Sequence, residues 1–340
     1  MKMIMAAATF LSIVFGCSES DPPSPTAAPI DSQVIDTSLF NEKALNSTPS
    51  IVDCVMQDGS TTRCTEIVVG HIPDGLNVGP FCPTTLDYEG GIWDWDGESP
   101  GLYRLNRQFF EFLATLGFQF ADDNGKINIA DPNAGPPGNG NSCLEASPDT
   151  SVTITVLIPL APSIADQPTS IGTVSAVGIG VDGVPIFGDA PSVLQTGGLP
   201  ALDNCGGHWD PGGWFHWHAT ATDVEASFAY SGVSADCNLE QSSSDLFGYA
   251  FDGFPMYGHT DSGGTMPQDL DSCGGHTGVT HDYPDGVYHY HAPLDFPNLP
   301  PCLVGKLAQD LITTTAASGV GSGGRPPGGP PPGGSPPQGE

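Results

Sequence analysis

The stretch VGIGVDGVPIFGD, residues 177–189, decides the fold because the chain writes it twice. Seventy residues on, FGYAFDGFPMYGH (247–259) repeats its grammar: Asp182-Gly183 answers Asp252-Gly253, Pro185 answers Pro255, and Gly188 answers Gly258. Downstream, LDNCGGH (202–208) matches LDSCGGH (270–276) at every position but one, and FHWH (215–218) is followed by YHYH (288–291). The order is kept and only loop lengths differ, so the repeats 177–237 and 247–302 read as two copies of one unit. Short apolar runs punctuated by Gly and Pro, such as VTITVLIPL (152–160), make that unit β-rich. The expected fold is mainly β with one or two helices, built as a duplicated, disulfide-stapled, sandwich-like β unit. One helix is expected over 101–117, where GLYRLNRQFFEFLATLG spaces apolar residues helically and ends on Gly117.

The cysteines fit that division. Nine are present, an odd number; setting Cys17 aside leaves eight, an even set of the kind that forms disulfides in an oxidising compartment. Each repeat has a cysteine in its CGGH motif and one later, which pairs Cys205 with Cys237 and Cys273 with Cys302, leaving Cys82 for Cys143. Cys54 and Cys64 bracket VMQDGSTTR, a hairpin turned at Asp58-Gly59. Cys17 itself closes MKMIMAAATFLSIVFGC, a lysine followed by an apolar run too short to span a bilayer. This reads as a lipoprotein-type signal peptide (1–17) that attaches the protein to a lipid bilayer through Cys17, at the bacterial outer membrane or cell surface. The alternative is an ordinary cleaved signal and a soluble secreted protein. Residues 18–50 read as a flexible linker, 51–305 as the folded domain, and 306–340 as a Gly/Pro-rich disordered tail.

Charge narrows the partners. The 340 residues carry 39 acids against 8 bases, a formal net charge of −31, which repels phosphate backbones and excludes nucleic acid as a partner. No G-x-S-x-G, H-E-x-x-H or phosphate-cradling G-x-x-x-x-G-K appears, so the familiar hydrolase and nucleotide motifs are absent.

The histidines carry the chemistry. Each repeat supplies a trio: His208, His216 and His218, then His276, His289 and His291. In a strand, histidines at i and i+2 project from one face, roughly 6–7 Å apart along the chain. They can lean onto one ion at about 2.0–2.1 Å, and a third imidazole from the adjoining segment completes a three-His site. Imidazole suits zinc or copper. The intervening Phe215, Trp217, Tyr288 and Tyr290 point to the opposite face and into the core. The alternative is that duplication copied a structural motif, each histidine being bonded to a backbone carbonyl. If one site alone holds metal, the first is favoured, because WDPGGWF closes its loop more tightly. His71 and His259 read as surface or capping residues, and Asp182 and Asp252 as turn-fixing residues. FADDNGKINIAD (120–131) mimics part of a calcium loop but places Phe120 at the first ligand position, so it reads as a hairpin turned at Asn124-Gly125. GGIWDWDGE (90–98) reads as an amphipathic strand.

The motifs GHIPDGLNVGPF, GVDGVPIFG, LDNCGGHWDPGGWFHWH, GYAFDGFPMYG and YPDGVYHYHAPLDFPNLPPCLVG together resemble the YHYH-domain family, secreted proteins named for that tetrapeptide. The resemblance covers about residues 65–305. It implies that His208, His216 and His218 stand for the family's three histidines, with Phe215 and Trp217 in place of tyrosines. The second copy keeps the literal Y-H-Y-H. The resemblance implies export and a fold, and no activity. Three function classes follow: an exported zinc- or copper-binding protein, a metalloenzyme (zinc hydrolase or copper oxidoreductase) using Asp210 or Asp282 as acid or base, and a structural or adhesive surface module without metal.

Overall fold

The computed structural model describes residues 33–134 and 140–321. The leader expected at 1–17 with Cys17, and the residues beyond 321, lie outside the described residues. The chain is mainly β, with two helices of seven or more residues, Arg107–Thr115 and Val224–Tyr230, and a single turn at Val193–Thr196. Among the described residues no helix is long and apolar enough to cross a membrane.

The two repeats build one eight-stranded sheet. From one edge to the centre run Gly207–Trp209, Phe215–Trp217, Pro185–Phe187 and Ala176–Gly180; from the centre to the other edge run Leu246–Ala250, Pro255–Tyr257, Val287–His291 and Gly275–Gly278. The two halves have the same internal order, reflected about the middle. At the middle, Ile179 pairs antiparallel with Tyr249, its own counterpart in the repeat, and Gly180 and Gly178 pair with Gly248 and Ala250. A local twofold axis therefore passes through that residue pair. Glycine is required on both sides of it: a Cβ on Gly178 would lie 2.4 Å from the Tyr249 carbonyl oxygen, and one on Gly248 would lie 2.3 Å from that of Ile179. Outward, Ile186 pairs parallel with Trp217 and Met256 with Tyr290, the same positions in each copy.

Each unit is closed by its own disulfide, Cys205–Cys237 and Cys273–Cys302, and the other two bonds are Cys54–Cys64 and Cys82–Cys143. All four follow the pairing read from the repeat and the hairpin. Cys54 and Cys64 join adjacent strands of a separate four-stranded sheet, ordered Ser50–Val55, Thr61–Val69, Ile154–Pro159 and Ile312–Thr314.

That last strand corrects the boundaries expected from composition. The ordered chain runs past both 51 and 305: Ile35 and Phe40 are buried, Phe40 stacks on Tyr249, and Leu311 and Ile312 are buried. A few well-placed apolar residues anchor segments whose average composition is polar. The helix also starts later than expected. Gly101–Arg104 is a strand paired with Ile92–Trp95, and Asn106 caps the helix by accepting from the Phe109 amide at 3.1 Å. Phe109, Phe110 and Leu113 then enter the core. At 120–131 the turn forms as expected. Ala121 bridges to Ile127, and Asp122 is occupied by the Asn124 and Lys126 amides rather than turned toward a cation.

The Cys205–Cys237 bond closes a loop with a sequence separation of 32 and ties the first histidine hairpin to the segment after Val224–Tyr230. Replacing both cysteines by serine is expected to cost about 2–4 kcal/mol in urea unfolding monitored by tryptophan fluorescence.

Candidate metal centres

The first trio is assembled by a hairpin. Asp203 opens it, its Oδ1 accepting from the amides of Cys205 (2.9 Å) and Gly207 (3.1 Å). Gly206 takes φ +81°, a left-handed conformation that a side chain would disfavour. The chain then runs as Gly207–Trp209, turns through Asp210-Pro211-Gly212-Gly213, and returns as Phe215–Trp217. His208 lies directly opposite His216 in this register, and His218, two residues on, shares their face. The three Nε2 atoms form a nearly equilateral triangle: 3.1 Å for His208–His216, 3.0 Å for His216–His218 and 3.1 Å for His208–His218. An ion at about 2.0–2.1 Å from each nitrogen would sit about 1 Å out of their plane, with N–ion–N angles of roughly 100°. That is a three-coordinate cap with a position left open.

The second trio repeats the construction. Asp271 Oδ1 accepts from the amides of Cys273 (2.8 Å) and Gly275 (3.2 Å), Gly274 has φ +77°, and His276 pairs with His289 across the strands. His276 and His289 bring their Nε2 atoms to 3.1 Å. Here a carboxylate joins: Asp261 Oδ1 lies 3.5 Å from His276 Nε2 and 3.4 Å from His291 Nε2. One ligand atom from each of these four residues fits within 4.8 Å of the others, a three-His-plus-Asp set.

The repeated D-G-x-P-x-x-G motif supports each trio from behind. Gly188 O accepts from His218 Nδ1 at 2.5 Å, and Gly258 O accepts from His291 Nδ1 at 2.7 Å. Asp182 Oδ2 accepts from the Trp217 indole N–H at 3.0 Å, and Asp252 Oδ2 accepts from the Tyr290 hydroxyl at 2.5 Å. The two aspartates thus hold the aromatic residue inside each H-x-H besides shaping their own turns, where Val184 N and Phe254 N donate to them. In the second trio, His289 Nδ1 donates to Val287 O (3.0 Å) and His276 Nδ1 to Asp269 (2.8 Å). In His218, His276, His289 and His291, donation through Nδ1 leaves the Nε2 lone pair facing the neighbouring imidazoles, an arrangement that a cation relieves. Among the described residues, His216 Nδ1 and His291 Nε2 are buried without a well-formed hydrogen bond.

Burial, reinforced by the neighbouring histidines, pushes His208 and His216 well below the ordinary imidazole range. Burial brings His218 to about 4; burial, reinforced by the neighbouring histidines, brings His289 to about 4 and lowers His291. The first trio, together with His289 and His291 of the second, therefore consists of neutral, ligand-ready imidazoles at neutral pH.

The surroundings of the two trios differ. The first lines a cavity of about 500 Å³ walled by Phe187, Trp209, Trp214, Pro191 and Val320. Asp210 lines it too, but its Oδ1 accepts from Gly212 N (2.6 Å) and its Oδ2 from Val320 N (3.4 Å); burial raises its pKa to about 6. Asp282 accepts at 2.9 Å from the hydroxyl of Tyr257, whose ring packs edge-on against His289.

Three residues escaped the sequence reading. Asp261 and Asp269 come from loops with no periodic signal; their trace is only that an acid sits where the first copy has Pro191 and Ala201, respectively. His71, expected at the surface, is buried: its Nδ1 accepts from Phe215 N at 3.0 Å and its Nε2 donates to Asp149 O at 3.1 Å, which fixes the first histidine strand. His259 pairs with Asp223 at 2.8 Å.

The family model described as YHYH protein matches residues 155–268 and 262–305, segments that hold all six histidines and Asp261. The match begins well after residue 65, the start of the resemblance read from the motifs. No curated protein and no solved structure matches the chain.

Burial raises the pKa of Asp203 to about 7, against the backbone amides that lower it. In the unfolded chain it ionises near 4, so between about pH 4 and 7 the folded state keeps a proton that the unfolded state has lost. Its contribution to stability is present below pH 4 and is lost as pH rises through 7. Against Asp203→Asn, which lacks this titration, the wild type is expected to lose up to about 1.4 kcal/mol per pH unit across that window in urea unfolding.

Proposed function

We propose, with residues 155–305 matching the family model described as YHYH protein, a description that carries no activity, that this protein is an exported metal-binding protein whose ligands are His208, His216 and His218 in one centre and His276, His289 and His291 in the other. The observation that carries this reading is the convergence of three Nε2 atoms at 3.0–3.1 Å from one another in the first trio. Structural histidines that merely satisfy backbone carbonyls would use both ring nitrogens on protein groups and would have no reason to aim the second at each other. Repetition of the geometry in the second unit, with Asp261 added, supports the same reading. Imidazole donors suit zinc and copper, and copper binds more tightly where both are available.

Export is supported by the four disulfides, which persist in oxidising compartments, and by the apolar N-terminal stretch. With eight cysteines in those bonds, Cys17 is the ninth, in keeping with a lipid anchor there and a place at the bacterial outer membrane or cell surface.

A second reading, a metalloenzyme at the first trio, is favoured by the cavity onto which those three histidines open. An open coordination position on zinc or copper can activate water or a small oxidant.

Elemental analysis of the purified protein tests the metal reading. Near-stoichiometric zinc or copper is expected, lost in part from His216→Ala/His218→Ala and in part from His289→Ala/His291→Ala. Chelation of the wild type is expected to lower Tm by several degrees, reversed on refilling. No uptake of either ion by folded wild-type protein would overturn it.

A further inference from the structure

The two copies diverge at one aligned position that decides whether each centre is open. In GHTDSG of the second copy, Asp261 follows Gly258 by three residues; in GDAPSV of the first, Pro191 follows Gly188 by three. Asp261 brings an oxygen to 3.4–3.5 Å from two imidazoles, so that centre has a protein-supplied fourth ligand and a negative charge. Pro191 brings no donor, and its ring becomes wall of the cavity beside Ala190 and Phe187. Among the described residues of that wall the one carboxylate, Asp210, is already engaged by the amides of Gly212 and Val320.

We propose that the His208–His216–His218 centre binds an exogenous small apolar anion, one donor group filling the metal's open position and an aromatic or aliphatic body filling the cavity, while the centre containing Asp261 is saturated and structural. This rests on the metal reading above. Three neutral imidazoles leave a divalent ion with its full charge, so an anionic donor such as a carboxylate, phenolate or hydroxamate is favoured over a neutral one. The walls Phe187, Trp209, Trp214, Pro191 and Val320 offer apolar and aromatic surface, and among the described residues no cationic side chain lines the cavity, so the ligand's charge resides at the metal-binding end. A cavity of about 500 Å³ is within the range of small-molecule sites and larger than a water or a lone carboxylate requires. The ligand donates its acidic proton to solvent on binding; no other bond changes.

Cobalt(II) replaces zinc as a visible reporter in the whole protein, and benzohydroxamic and acetohydroxamic acid share one donor group while differing in their bodies. Two cobalt ions per chain are expected, of which one changes its d–d absorption on titration. Benzohydroxamate is expected to bind at least tenfold more tightly than acetohydroxamate. Pro191→Asp, at a half-buried position, is expected to retain both cobalt ions and abolish the response. Ala190→Trp is expected to keep acetohydroxamate binding while cancelling the preference for the aromatic body. Equal affinities for the two acids, a silent spectrum with both ions bound, or an unchanged response in Pro191→Asp would each overturn this inference and leave metal binding standing. Absence of cobalt uptake, confirmed with zinc and copper, would overturn both.

Discussion

The contact on which the rest of this structure depends is the close antiparallel approach of Ala176–Gly180 and Leu246–Ala250 at the centre of the eight-stranded sheet. Glycines on both strands let each backbone sit where a Cβ would meet the other's carbonyl. Once Ile179 faces Tyr249, every outward strand has its place: Pro185–Phe187 and Pro255–Tyr257 flank the pair, and each aligns a histidine strand in parallel register. Each histidine trio is thus positioned by its own repeat's turn, through a glycine carbonyl holding one imidazole and an aspartate holding the neighbouring aromatic ring.

The price of this scaffold is a set of buried polar groups. Asp203 and Asp252 lie in the interior and Asp182 is half-buried, and desolvation raises all three to about 6–7 despite the hydrogen bonds they accept. Such groups are costly alone and specific together: a slip of one residue in either histidine strand would leave an aspartate without its indole or phenol and a histidine without its carbonyl. The arrangement favours one register strongly, a property needed by a centre whose donors must agree to within a few tenths of an ångström.

Much of this was legible in the sequence because duplication writes each feature twice. The repeated Asp-Gly and Cys-Gly-Gly-His spellings marked the turns, the paired later cysteines gave the disulfides, and alternation in FHWH and YHYH put the histidines on one face. What stayed hidden comes from loops or from single anchoring residues. Asp261 lies fifteen residues before His276 in a polar loop where any acid looks like surface. His71 reaches Phe215 across 144 residues, which no local pattern encodes. Ile35, Phe40 and Ile312 sit in polar stretches whose average composition conceals three well-packed side chains. The start of the helix at Arg107 was set by strand pairing at Gly101–Arg104, a tertiary contact that overrode helical spacing.

The strand Ile312–Thr314 also has a consequence for the order in which the molecule can be completed. It pairs with Ile154–Pro159, and the Tyr283 hydroxyl donates to the Val34 carbonyl, a contact spanning 249 residues. A chain that emerges from its N-terminus, whether from a ribosome or through a translocation pore, holds these early segments without their partners until nearly all of it is out. Until then Ile154–Pro159 presents an unpaired edge, rich in β-branched residues, beside a partner strand already in place. The two histidine units, each closed within about thirty residues by its own disulfide, can settle before that edge is covered. Ile312–Thr314 is thus the last strand of the four-stranded sheet to become available as the chain emerges.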